Sequence, residues 1–310
     1  MLINFMMLIV GFVLLIKGAD YFVDGAASVA GLLRVPTVIV GLTIVAFGTS
    51  APEAAVSTTA ALSGANSIAV SNIIGSNIFN LLLVLGITTL VTVVPVPKSM
   101  VRREFSFLAL MTILMSVLIL YDFKISRVDG IIFLLFLIFY VTWLIYGAIS
   151  QRSLTDIEEA KYPLWLAIIV IIGGIAAVII GGNIVVDNAT EIALSIGWSE
   201  KLVGLTIVSI GTSLPELVTS FVAARKGKVD IAIGNVVGSN VFNILFILGL
   251  SSTITPILVE QALYVDILFM TFGTLLTYYM CRTHNDLTKR EGLILLLIFI
   301  SYLSFILVRN

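Results

Sequence analysis

The chain has 310 residues, 59% of them apolar and 11% charged, with a mean hydropathy of +1.16 and a formal net charge of -1. Soluble domains carry roughly 25% charged residues, so the composition excludes a soluble globular protein and points to one embedded in a lipid bilayer almost throughout. The net charge says nothing about partners, because the charges lie mostly in loops; no nucleic-acid partner is expected, and one cysteine (Cys281) with one histidine (His284) excludes a disulfide framework or a Cys/His metal cluster.

Runs of about 20 apolar residues mark transmembrane helices. The first run, 2–33, has no basic n-region and no small-residue cleavage site, so it is expected to stay as a span. Four more follow at 36–62, 67–93, 102–121 and 127–149. A polar stretch of mixed charge, QRSLTDIEEAKY (151–162), then separates these from five others at 163–194, 200–225, 230–253, 260–281 and 290–308. The expected fold is all-α and polytopic, with ten transmembrane helices. It divides into an N-terminal five-helix unit (1–150), a linker read as a hinge (151–162) and a C-terminal five-helix unit (163–310).

Orientation follows from the lysines and arginines between spans. With the N-terminus outside, the inner loops hold Arg34, Lys98, Arg102, Arg103, Arg152, Lys161, Arg225, Lys226, Lys228, Arg282, Lys289 and Arg290, which makes 12. The outer loops hold Lys124, Arg127, Lys201 and Arg309, which makes 4. Both termini are therefore expected outside a cell membrane.

The second half repeats the first at a shift of 163 residues. GLTIVAFGTSAPE (41–53) lies on GLTIVSIGTSLPE (204–216), and SNIIGSNIFNLLLVLG (71–86) lies on GNVVGSNVFNILFILG (234–249). Positions 41–86 carry 25 identities in 46 without a gap. Because each unit has an odd number of spans, the second copy enters the membrane from the opposite side. Such inverted repeats are typical of secondary transporters, with paired motifs meeting near the midplane.

The motif GTSxPE places a proline inside a span. Proline lacks an N–H and clashes with the carbonyl four residues back, so Pro52 and Pro215 are expected to split their helices near Gly48 and Gly211. Carbonyls around 46–49 and 209–212 would be left free, which lipid tolerates only where they line a cavity or meet a partner such as a cation. Glu53 and Glu216 have two readings. Ser50-Ala-Pro-Glu53 and Ser213-Leu-Pro-Glu216 match the capping box, in which the glutamate closes the start of a helix. A carboxylate in mid-membrane, however, costs at least about 2.5 kcal/mol and is functional by default. Two equivalent acids brought together can hold the cations that neutralise them, and we favour that reading.

GSNxFN adds neutral oxygen. Ser76 and Asn80 share a helix face, as do Ser239 and Asn243. An all-oxygen set suits a hard cation, Ca²⁺ above Mg²⁺, and disfavours zinc or copper. Gly75 and Gly238 are expected at close helix contacts, and Asn77 and Asn240 as hydrogen bonds between helices. Asp20, Asp24, Asp187 and Asp266 read as structural, with Asp20 placed to pair with Lys17. No catalytic histidine, nucleophile–base pair or zinc motif is present, so an enzyme is not expected. A passive channel would not need an inverted pair of broken helices.

GTSAPE…GSNIFN and GTSLPE…GSNVFN resemble the two α-repeats of the cation/calcium antiporter superfamily, specifically the sodium/calcium exchangers. The resemblance covers the whole ten-span plan. It implies a central ion site built from spans two, three, seven and eight, with spans one and six as gates. It implies Glu53 and Glu216 as acidic ligands; Thr49, Ser50, Thr212, Ser213, Ser76 and Ser239 as hydroxyl ligands; Ala46, Thr49, Ser209 and Thr212 as carbonyl ligands; and Asn80 with Asn243 as amides. The last position is an aspartate in some family members, so two acids stand here instead of three. The function implied is Na⁺/Ca²⁺ exchange by alternating access, with H⁺/Ca²⁺ exchange as the alternative. The ions are cargo, no cofactor is called for, and a monomer in the bilayer is expected to suffice.

Overall fold

A computed structural model describes residues 1–151, 159–198, 203, 207 and 209–309. Its long helices are α1 (Leu2–Leu33), α2 (Thr37–Thr49) and α3 (Ala51–Leu62), α4 (Ile68–Val91), α5 (Lys98–Asp122), α6 (Arg127–Ile149), α7 (Leu164–Ser195), α8 (Leu214–Arg225), α9 (Val229–Ile254), α10 (Gln261–Thr283) and α11 (Lys289–Arg309). Counting the bent pair α2–α3 as one, nine spans among the described residues are long and apolar enough to cross a membrane. The seventh, expected over 200–225, is described only from Ser209–Gly211 and α8 onward, apart from Val203 and Ile207. The middle of the expected linker, 152–158, also lies outside the described residues. The chain is thus the all-α polytopic membrane protein expected. One boundary moves: α5 starts at Lys98, so Arg102 and Arg103 sit on a helix and not in a loop.

The backbone carries the duplication independently of the side chains. The left-handed residues pair off: Arg34 (φ 55°) with Gly197 (φ 96°), Gly64 (φ 77°) with Gly227 (φ 74°), and Phe123 (φ 53°) with Asn285 (φ 57°). The first two pairs keep the 163-residue shift and the third has 162, so the second copy is one residue shorter by that point. Arg34, Phe123 and Asn285 each follow the last turn of a helix, where a left-handed residue turns the chain out.

The inversion is visible where equivalent helices touch. α1 and α7 pack along their lengths with Gly11 against Gly181, Gly18 against Gly174 and Gly25 against Ala167, so they run antiparallel. The approach is close because glycines face each other: a Cβ at Gly181 would lie 2.7 Å from the Gly11 carbonyl oxygen. Small residues permit such backbone contact in lipid, where no hydrophobic drive holds helices together.

α9 and α4 form the centre and are largely buried, whereas α1, α6 and α11 are mostly exposed at the periphery. α9 lies on α2 through Gly41 and Gly234, where a Cβ on Gly234 would meet the Val38 carbonyl oxygen at 2.7 Å. At the membrane faces, two short antiparallel ladders cross between repeats. β1 (Val94–Pro95) pairs with β4 (Asp286–Leu287), and β2 (Lys124–Ile125) pairs with β3 (Ile257–Leu258).

Asp20 does not pair with Lys17. Its carboxylate takes Lys226 at 2.7 Å, and the same ammonium also binds Asp24. Lys161 reaches Asp24 from the far end of the linker at 2.6 Å, and this bond raises the Lys161 pKa above its ordinary value. The local pair loses because Lys226, just past the end of α8, supplies one charge to two carboxylates on α1. Asp266 is buried and held by Tyr302 (2.8 Å) and Arg309 (2.9 Å).

Candidate ion site

Both proline motifs bend as the sequence requires. Ser50 (φ -81°, ψ 7°) and Ser213 (φ -93°, ψ 5°) adopt nearly the same non-helical geometry, and α2 meets α3 at 49°. Pro52 removes the N–H that would have served the Gly48 carbonyl, and Pro215 does the same for Gly211. The Ala46 carbonyl, expected to be free, is not: it accepts the Ser50 N–H at 3.0 Å, with the Thr49 hydroxyl 3.3 Å away. Proline frees only the carbonyl four residues before it, and Ser50 keeps its own N–H. Ser209 lies in the short helical segment Ser209–Gly211.

The capping reading fails in both copies. Neither Ser50 nor Ser213 bonds its own helix start through its side chain. Each reaches the glutamate of the other repeat: Ser50 Oγ donates to Glu216 Oε1 and Ser213 Oγ to Glu53 Oε1, both at 3.0 Å. Ser213 Oγ also lies 3.0 Å from Ser76 Oγ, and Ser239 Oγ stands 3.5 Å from Glu216 Oε1. Glu53 and Glu216 are wholly buried, as are Asn80, Asn243, Ser213 and Ser239.

Beside these lies a relay missed in the sequence. Thr49 Oγ1 donates to Asn235 Oδ1 (3.0 Å), and Asn235 Nδ2 donates to Ser220 Oγ (3.0 Å). In the other half Thr212 Oγ1 donates to Asn72 Oδ1 (3.2 Å), and Asn72 Nδ2 donates to Ser57 Oγ (3.0 Å). Thr49 and Thr212 are thereby fixed in direction. The signal was present: Asn72 and Asn235 are repeat partners, each one helical turn before Ser76 or Ser239 on the same face.

Several polar atoms in this core have no hydrogen bond, among them Glu53 Oε2, Glu216 Oε2, Asn243 Oδ1, Asn240 Oδ1 and both Oδ1 and Nδ2 of Asn80. Buried polar groups are nearly always paired. Four of these oxygens, those of Glu53, Glu216, Asn80 and Asn243, are contributed in matching positions by both repeats and form a set complementary to cations. Asn80 and Asn243 sit in widened π turns, Phe79–Val84 and Asn243–Leu248, a distortion frequent at functional sites. Gly238 is at a tight contact as expected, since a Cβ there would lie 2.6 Å from Ala46 Cβ. Gly75 is not. It faces a cavity of about 300 Å³ beside Asp266 and Tyr302.

The two sides of the site differ. A cavity of about 420 Å³, lined by Pro52, Val56, Val186, Asp187, Thr212 and Pro215 among others, opens between α3 and α7. The pseudo-symmetric space between α8 and α1 is filled, with Leu15, Ala19 and Val222 packed together and the Lys226 bridges closing its end.

Comparison with known proteins places this architecture. The sodium/calcium exchanger protein family matches residues 3–146 and 166–308. The chain is 40% identical to the putative antiporter CaxA of Alkalimonas amylolytica, over 97% of this chain and 98% of that one. It is 30% identical to the sodium/calcium exchanger MaX1 of Methanosarcina acetivorans, over 97% of both. Its structure is similar to that of the sodium-calcium exchanger NCX_Mj solved in 10 mM Na⁺ and 10 mM Sr²⁺, with a TM-score of 0.86 and 29% identity over 98% of each chain. Two matching repeats, relatives aligned over 97% of this chain and a shared fold agree: the chain belongs to the sodium/calcium exchanger family, whose members are transporters and not enzymes.

Proposed function

We propose that this protein is a secondary-active antiporter that exchanges Na⁺ for Ca²⁺, with Glu53 and Glu216 as shared ion ligands. The observation that carries the reading is the crossed arrangement of the glutamates. Each carboxylate spends one oxygen on a serine of the opposite repeat and keeps its second oxygen buried without a donor. Asn80 and Asn243 supply neutral oxygens, Ser76 and Ser239 hydroxyls, and Thr49, Ser50, Thr212 and Ser213 complete the shell. Ala46 and Ser209 contribute through their carbonyls, Ala46 using the second lone pair of an oxygen already bonded once.

With both carboxylates ionised the site carries two negative charges. One Ca²⁺ or two Na⁺ neutralise it, so the ions compete for the same oxygens. An empty site keeps its charge in a low-dielectric interior, which opposes the conformational change and couples one ion's exit to the other's entry. Transport of more than two Na⁺ per Ca²⁺ would be electrogenic, at about 2.3 kcal/mol per net charge per 100 mV. The lysine and arginine bias puts both termini outside. In that orientation the cavity between α3 and α7 faces outward, and the Lys226 bridges close the inner side. All proposed ligands come from one chain, which supports a functional monomer.

The test is Ca²⁺ uptake by reconstituted vesicles, with Na⁺, K⁺ and H⁺ gradients imposed one at a time. A Na⁺ gradient should drive ⁴⁵Ca²⁺ movement and Glu53→Gln should abolish it. Uptake driven by a pH gradient without sodium would establish H⁺/Ca²⁺ exchange instead. Normal Na⁺-driven uptake by Glu53→Gln would remove Glu53 from the site.

A further inference from the structure

The two ligand amides raise a problem that carboxylates do not. An asparagine presents an oxygen on one side and an NH₂ on the other. Turned the wrong way, it aims positive hydrogens at a cation. Something has to set the direction of Asn243 and Asn80, and for Asn243 the structure contains such a device.

Asn77 and Asn240 are buried on α4 and α9, and the Na⁺/Ca²⁺ reading uses neither. Asn243 Nδ2 donates to Asn77 Oδ1 at 3.0 Å. Asn77 Nδ2 in turn points at Met270 Sδ on α10, 3.8 Å away. A thioether accepts hydrogen bonds and cannot donate them, so Met270 holds the amino end of Asn77. That leaves the Asn77 carbonyl facing Asn243, which must answer with its own NH₂. The Asn243 oxygen is then the atom left over, buried and without a donor. The direction of the amide is passed along three residues, from sulfur to oxygen.

The other repeat holds the same parts in a different state. Asn240 Nδ2 donates to the Val236 carbonyl on its own helix at 2.7 Å, which directs its oxygen away from that bond. Asn240 Oδ1 and Asn80 Nδ2 are both buried without partners. These are the acceptor and donor that the pseudo-symmetry matches to Asn77 Oδ1 and Asn243 Nδ2. Where the repeat would put a counterpart of Met270, the chain has Phe107 and Leu108, neither an acceptor. A backbone carbonyl takes that place.

We infer that Asn77 is a positioning residue that fixes the ligand amide of Asn243 with its oxygen toward the ions, and that Asn240 is built to do the same for Asn80. The inference rests on the proposed ligand role of Asn243. It makes a specific demand: an aspartate in place of Asn243 has two equivalent oxygens and needs no orienting, so the requirement for Asn77 should vanish in that background.

The experiment measures the Ca²⁺ KM and kcat of Na⁺-driven uptake for Asn77→Leu, Asn243→Ala, Asn243→Asp and Asn77→Leu/Asn243→Asp, each checked for a monodisperse fold. Asn77→Leu should raise the KM about tenfold, on the scale of one lost buried hydrogen bond, with kcat less affected. In the Asn243→Asp background the same substitution should leave the KM within about twofold, since no amide hydrogen bond is then lost. An equal rise in both backgrounds overturns the inference while sparing the ligand reading. An unchanged KM in Asn243→Ala overturns the ligand reading itself. Should Asn77→Leu fail to fold, Met270→Leu tests the same relay one step back. With Asn243 intact it should raise the KM about two- to threefold, a weak hydrogen bond's share, and in the Asn243→Asp background it should not; an equal rise in both overturns the inference.

Discussion

Gly173 and Gly174 are neighbours on α7 with opposite surroundings, and they offer a direct measure of the α1–α7 seam. A Cβ on Gly174 would fall 2.8 Å from both Cβ and N of Phe22 and 2.9 Å from the Gly18 carbonyl oxygen. Two of these atoms are backbone and the third is fixed to it, so no side chain can rotate away. Contact between such atoms becomes comfortable at roughly 3.5 Å, so α1 and α7 would have to separate by about 0.7 Å. Overpacking of this kind costs about 1–3 kcal/mol. A Cβ on Gly173 meets nothing within 4 Å. Both alanines share the gain in helix propensity, up to about 1 kcal/mol, so the difference between them isolates the clash. At about 2 °C per kcal/mol for a chain of this size, Gly174→Ala should melt about 2–6 °C below Gly173→Ala. Thermal unfolding of the two purified variants in detergent, followed by size-exclusion chromatography, reads this out. Equal midpoints, or a lower midpoint for Gly173→Ala, would refute the close-packed seam.

Other substitutions probe the site and its closed side. Ser213→Ala removes a hydrogen bond to the buried Glu53 carboxylate and should raise the Ca²⁺ KM about tenfold or more; Ser50→Ala should do the same through Glu216, and unchanged values in both would dismiss the crossed pairing. Asn235→Leu frees Thr49 to rotate and should weaken Ca²⁺ affinity by about fivefold, while a shift in kcat alone would point elsewhere. Lys226→Met removes the bridges to Asp20 and Asp24. Because the lysine is partly exposed, the effect is about 1 kcal/mol, or about a fivefold shift of conformers. A cysteine placed at Val218, which packs on the cluster holding Leu15, Ala19 and Val222, should then label faster with a water-soluble maleimide once Cys281 is replaced by alanine. An unaltered labelling rate would mean the bridges do not hold that side shut.

The features legible in the sequence were those written twice. Proline inside an apolar run, glutamate beside it and a second copy 163 residues on fix the broken helices and their inverted partners, because proline acts on its own backbone wherever the chain is folded. The partner of each serine was not legible. Ser50-x-x-Glu53 satisfies a local pattern, yet tertiary placement brings Ser50 to Glu216 and Ser213 to Glu53. The same limit applied to Asp20, where a neighbour in sequence lost to a lysine at the end of another helix. Gly75 and Gly238 occupy equivalent motif positions, but one meets a cavity and the other Ala46. The asymmetry between the two sides also lies outside the repeat. Lys226 stands where the first copy has Ser63, and Asp20 where the second has Asn183, so only one side can form the bridges.

The two crossed ladders bear on how the protein is made. Each joins a loop of one repeat to a loop of the other, β1 to β4 and β2 to β3. While the ribosome is still producing the second half, the backbone groups of Val94–Pro95 and Lys124–Ile125 have only water and lipid head groups to bond. The first half is therefore an unfinished object when it enters the bilayer, held by its apolar helices but unsealed at both rims. Completion comes with the strands at Ile257 and Asp286, synthesised last and from opposite faces. Two separately expressed halves should accordingly find each other within the membrane, each supplying the edges that the other lacks.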